Sequence, residues 1–204
     1  MTGSTEARPP FTVNDIEVGA RIYEALVHCA RSLRGMPITY GDLLAAARQL
    51  HPKDAVLDRA VPVGIGMKLL FVEEFCRAHA YPNLACLAVN RSTMRPGPGY
   101  QGDWEARWEA DRRMVADFDW SGADAQLAAF ADGARAAVPA RLKPRKERPA
   151  DVSWYAYFCS HRAACEKVTP EDKQEIINLM MAGLDPETSL KRVLAAKADF
   201  GDQS

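Results

Sequence analysis

Apolar residues return every three to four positions through residues 14–34, NDIEVGARIYEALVHCARSLR. Ile16, Ala20, Tyr23, Val27 and Ala30 form a stripe that Ile22, Leu26 and Leu33 widen. That spacing predicts an amphipathic helix. Asn14 is placed to cap it, Asp15 and Glu17 suit its positive end, and Gly35 is placed to stop it. The next stretch, GMPITYGDLLAAA, changes pattern. Ile38-Thr39-Tyr40 is a short β-prone step, and Thr39 with Asp42 gives the spacing of a capping box ahead of LLAAARQL. Pro52 disfavours helix at His51 and ends that segment.

A further helix is predicted from Asp58 or Pro62 to about Ala80, with Leu69, Leu70, Val72, Phe75 and Cys76 as its apolar side. Asn83 to Asn90, NLACLAVN, is a short apolar run between turn residues and is predicted as a strand. The glycines and prolines of RSTMRPGPGYQGD then enforce a loop. Two helices follow, WEARWEADRRMVADFDW with an alternating charged face and ADAQLAAFADGARAAV ending near Pro139. Beyond residue 151 the pattern is helical again. Thr169 with Pro170, and Asp185 with Pro186, mark two helix starts separated by Gly183. No third helix is evident behind them, which favours a plain helical hairpin over a helix-turn-helix. The fold class expected is α+β, mostly α. A flexible tail (1–13) precedes a main domain (14–138), a basic linker (139–151) and a small helical module (152–204).

Composition narrows the picture only slightly. The 204 residues are 48% apolar and 26% charged, ordinary for a globular protein. A formal net charge of -1 means that any nucleic-acid affinity must come from a local patch. Such a patch exists in the linker, where Arg141, Lys143, Arg145, Lys146 and Arg148 face one acid, Glu147. It reads either as a solvated connector or as a phosphate-contacting arm. No apolar run approaches the roughly 20 residues that span a bilayer, and the polar start is unlike a signal peptide.

The five cysteines include no C-x-x-C pair, which fits a reducing cytoplasm. Cys159, His161 and Cys165 are the one dense group of metal-ligating residues, but their spacing is not that of a zinc site. On a helix, Cys159 and His161 would point about 200° apart. Core packing is the default reading, and neither metal nor cofactor is expected. P-loop, nucleophile-elbow and dinucleotide-binding patterns are absent.

IYEALVHCARSLRGMPITYGDLLAA, then DRAV (58–61), then NLACLAVNRSTMRPGPGYQG, resembles the DNA-binding domain of alkylguanine-DNA alkyltransferases and alkyltransferase-like proteins. The similarity spans residues 20–102. It implies a winged helix that binds the DNA minor groove and turns a nucleotide out. Tyr40 would help extrude it and Arg59 would fill the gap in the stack, the unstacking costing a few kcal/mol. The family's reactive cysteine lies in Pro-Cys-His-Arg, where this chain has AVNR. Val89 thus holds the nucleophile's place, and a valine cannot accept an alkyl group. The spacing between the T-Y-G and R-A-V segments is longer here, and Pro62 stands where the family has glycine.

The resemblance and the basic residues together give a set of expected DNA contacts: Tyr40, Arg59, Asn90, Arg91, Arg95, Tyr100, and the arm Arg141, Lys143, Arg145, Lys146 and Arg148. Non-catalytic DNA binding is the first expectation. A protein-interaction or inhibitory module on the same scaffold is the alternative, its partner engaged through the C-terminal helices, since Trp, Tyr and Arg dominate such surfaces. The first expectation requires Tyr40 and Arg59 to share one open face.

Overall fold

The computed structural model describes residues 10–97, 100, 104–139 and 149–201. It is mostly helical. α1 (Val13–Leu33) leads through β1 (Ile38–Thr39) into α2 (Tyr40–Leu50) and the single turn α3 (Ala55–Asp58). A 3-10 turn, Pro62–Gly64, precedes α4 (Gly66–Ala78), and a second, Leu84–Leu87, precedes β2 (Ala88–Val89). α5 (Trp104–Asp117) and α6 (Ala123–Ala137) follow, then α7 (Ala150–Ser160), a 3-10 turn, α8 (Pro170–Met181) and α9 (Pro186–Gly201).

α1 is the central helix because its sequence leaves little polar surface over its middle turns. Ile16, Ile22, Tyr23 and Leu26 are fully buried. α4 crosses it closely at Gly19, where a Cβ would stand 2.6 Å from the Phe71 ring. Around that crossing an aromatic cluster fills the core. Tyr23 meets Phe75 edge-on at 5.1 Å, and Phe71 and Phe75 both pack on Phe130 of α6. Apart from this core, α7, α8 and α9 form a second, smaller one around Trp154, Ile176, Leu179, Leu190 and Val193. α7 therefore supplies the third helix that the hairpin reading of 152–204 lacked. On α5, Glu109 and Arg113 are exposed as expected, whereas Arg112 is half-buried and donates to the Gly35 carbonyl, and Val115 is buried.

Three local expectations change. Thr12, not Asn14, caps α1: its hydroxyl accepts the Asp15 N–H, and the Asp15 carboxylate accepts from the Thr12 N–H. The helix predicted from 58 or 62 to 80 is split, because the chain leaves the helix after Arg59 and Val61 is extended before the turn at Pro62. The strand predicted over 83–90 shrinks to Ala88–Val89, since Asn83 accepts the Ala85 N–H and winds Leu84–Leu87 into a 3-10 turn. β1 and β2 pair in parallel, Ile38 opposite Ala88 and Thr39 opposite Val89. No helix among the described residues is long and apolar enough to cross a membrane.

Candidate functional site

The parallel pair fixes the site. Register at Thr39 and Val89 sets the start of α2 beside the loop that leaves β2. Thr39 accepts the Asp42 N–H and so points Tyr40 into the first turn of α2. The loop closes on itself: the Met94 N–H donates to the Asn90 carbonyl, the Asn90 N–H to the Arg95 carbonyl, both at 2.8 Å. The Asn90 side chain accepts the Ser92 N–H at 2.7 Å. Arg91 and Arg95 are exposed on its outer side.

Tyr40 lies beneath this loop. It is 6% exposed, and its hydroxyl accepts the Gly97 backbone N–H. Burial pushes the phenol up to about 12, the Gly97 N–H offsetting part of that rise. Tyr100 is half-buried and donates to Asp111 of α5 at 2.5 Å. Burial raises its pKa, and the hydrogen bond and negative charge of Asp111 add to the rise. Both tyrosines therefore stay neutral at ordinary pH and serve as walls.

The two side chains expected on one open face have different surroundings. Tyr40 is an interior residue, contrary to the exposed position that nucleotide extrusion requires: the loop from Asn90 to Gly97 covers it. Arg59 is half-buried at the end of α3, and its carbonyl accepts the Asn178 amide of α8 at 2.8 Å. Nearby, a Cβ on Gly64 would fall within 3 Å of the Glu175 carboxylate, which shows how closely α8 sits on this segment. Asn90 is spent on the loop. The basic arm Arg141, Lys143, Arg145, Lys146 and Arg148 lies outside the described residues.

Nucleophilic chemistry has no candidate at the position the resemblance indicates. Val89 is fully buried in β2. Cys86 is in the 3-10 turn, so strand alternation does not set its direction, and it too is fully buried. Burial drives its thiol strongly upward and Asp111 adds to this, so the thiolate is disfavoured. Among the described residues no three His, Cys, Asp or Glu side chains converge as a metal site. Cys165 belongs to the smaller core, Cys159 is exposed, and His161 stacks on Tyr157 at 4.0 Å.

Tyr40 and Tyr100 open onto a cavity of about 440 Å³. One side is built by Leu69 and Leu70 of α4 with Ala85 and Ala88; the opposite side is α9, through Val193 and Ala196. At its base is a buried charge cluster that sequence reasoning missed. The Lys68 ammonium donates to Glu175 at 2.8 Å and to the Gly64 carbonyl at 2.7 Å, and lies 3.4 Å from Asp15. Arg192 of α9 donates to the other Asp15 oxygen at 2.9 Å. Asn178 donates to Glu175 at 3.1 Å. Two cations face two carboxylates, and Lys68, Asp15 and Glu175 are nearly inaccessible. Burial pushes the Asp15 carboxyl up, but Lys68, Arg192 and the Thr12 hydrogen bonds together hold it below the usual range. Burial pulls Lys68 down, and Glu175 and Asp15 more than reverse this. One signal for the cluster was present in the sequence: Lys68 precedes Phe71, Val72 and Phe75 by three, four and seven residues, the spacing of a shared helix face.

No family model, characterised protein or solved structure matches the chain.

Proposed function

We propose that this is a non-catalytic DNA-binding protein on a winged-helix-related scaffold of the alkyltransferase-like kind. The observation that carries the reading is the parallel β1–β2 register. It brings Thr39-Tyr40-Gly41 alongside Ala88-Val89-Asn90-Arg91, two segments about fifty residues apart in the chain and both part of the resemblance. The loop leaving that junction is braced from within and exposes Arg91 and Arg95, the side chains suited to phosphate oxygens. With Tyr40 buried, the shared open face of Tyr40 and Arg59 is not formed; nucleotide extrusion is therefore set aside, and the reading rests on phosphate contacts from the exposed Arg91 and Arg95 instead. Val89 and the suppressed Cys86 thiol support a role without alkyl transfer.

The test is a titration of labelled duplex DNA at several salt concentrations. Wild-type affinity should fall linearly on a log–log plot against salt, and Arg91→Ala should reduce the slope by about 1 if one phosphate contact is lost. Arg59→Ala should weaken binding less, because α8 crowds that residue. Absence of binding, or binding indifferent to salt and to both changes, sinks the reading.

A second reading, a protein-interaction module, is favoured by one observation. α7 exposes Val152 and Tyr155, and Phe158 stays open beside the buried Trp154 that it contacts. Aromatic side chains left open in this way suit a protein partner.

A further inference from the structure

The cavity between the main core and α9 is a candidate site of a different kind from a phosphate surface. Its lining is mostly apolar, from Leu69, Leu70, Ala88, Tyr100, Val193 and Ala196. Its volume of about 440 Å³ lies within the range of small-molecule pockets. The polar groups that reach it are engaged within the protein. Tyr100 is held by Asp111, Asn83 caps its own turn, Glu175 is held by Lys68 and Asn178, and Arg192 is bound to Asp15. The charged lining residues are Glu73, Glu175 and Arg192, two acids against one base. An anion entering here would find its one cation already paired and two carboxylates nearby, and it would lose its hydration without return. What the walls do offer is apolar contact, worth about 25 cal/mol per Å² removed from water.

We infer that this cavity binds a small, uncharged, largely apolar aromatic molecule, held between α4 and the tyrosine wall on one side and α9 on the other. Both walls are fixed by the same buried cluster, since Lys68 is on α4, Glu175 on α8 and Arg192 on α9. The site is therefore preformed whenever the C-terminal helices are seated.

Two fluorescent probes with one ring skeleton isolate the charge requirement. The neutral N-phenyl-1-naphthylamine should titrate the full chain saturably with a single site. Its sulfonated analogue, 8-anilinonaphthalene-1-sulfonate, should bind at least tenfold more weakly. Ala196→Phe, at a half-exposed position on the α9 wall, should weaken the neutral probe at least tenfold while helical circular dichroism stays unchanged. Ala195→Phe is the substitute if that variant loses helicity. In the wild type, NMR should show contacts from the probe to the methyl groups of Leu69 and Ala196. The inference is overturned by a non-saturable neutral probe, by equal or tighter binding of the sulfonate, by a folded Ala196→Phe protein with unaltered affinity, or by probe contacts to other methyls. None of these readouts involves DNA, so its failure is separate from failure of the DNA-binding reading.

Discussion

Lys68 shows how one side chain can decide the fate of many. Its ammonium donates to Glu175 and to the Gly64 carbonyl, and lies within ion-pair reach of Asp15 at 3.4 Å. Removing it leaves the buried Glu175 carboxylate without its cation and Asp15 with Arg192 alone. Lys68→Met should destabilise the protein by about 3–5 kcal/mol in urea unfolding. Adding Glu175→Gln should recover part of the loss, because the stranded charge goes with it. Independent, additive effects in that double-mutant cycle would show that the pair is not coupled. Tyr40 makes a smaller but more local point. Tyr40→Phe leaves the Gly97 N–H without its acceptor and should cost about 1 kcal/mol. Its hydrogen exchange at Gly97 should rise, while the rest of α2 stays protected. A variant with an unperturbed Gly97 amide would remove Tyr40 from its role as the support of the loop.

The helices begin by a recurring device. Thr12 with Asp15, Thr39 with Asp42, and Thr169 with Asp172 each place an acid three residues after a threonine cap. In the first and last of these the aspartate also takes a cation from α9, Arg192 for Asp15 and Lys197 for Asp172. A cap is thus also a clamp between elements. Burial raises the Asp172 carboxyl, and Lys197 with the Thr169 hydrogen bonds outweighs that and lowers it. A carboxylate whose folded pKa is depressed contributes stability that is complete above its unfolded value, near 3.8, and is lost as pH falls through the folded value. Lys68 has the opposite sign: its contribution is complete below about 10.5 and is lost as pH rises through its higher folded pKa. Stability arising from these groups should therefore be level across the neutral range and fall below pH 3.8. Unfolding midpoints measured from pH 2 to 8 should show that fall, and Asp172→Asn should flatten part of it. Thr12→Ala should cost about 1 kcal/mol through loss of the α1 cap. These starts were legible from sequence at Thr39 and Thr169 because the cap is a local pattern. At α1 the same pattern was present, but the flanking Asn14 competes for the role by composition alone.

Across the molecule, the two hydrophobic cores are joined mainly by charge and hydrogen bonding around Lys68, Glu175, Asn178 and Arg192. Loss of that junction should uncouple them. Hydrogen exchange of Lys68→Met should show the α7–α9 amides opening before those of α1 and α4, whereas in the wild type both sets are expected to open together. Uniform loss of protection would mean that the cores are one cooperative unit by other contacts. Sequence by itself determined the helix-rich class and the breaks at Pro52 and Gly183, which follow from neighbours within a few residues. Tertiary structure decided which polar residues are interior. Tyr40 is hidden by a loop fifty residues further on, and Lys68 is buried because its partner lies 107 residues away. Local pattern carries propensity and periodicity, whereas desolvation of a phenol or an ammonium depends on what the chain brings back to cover it.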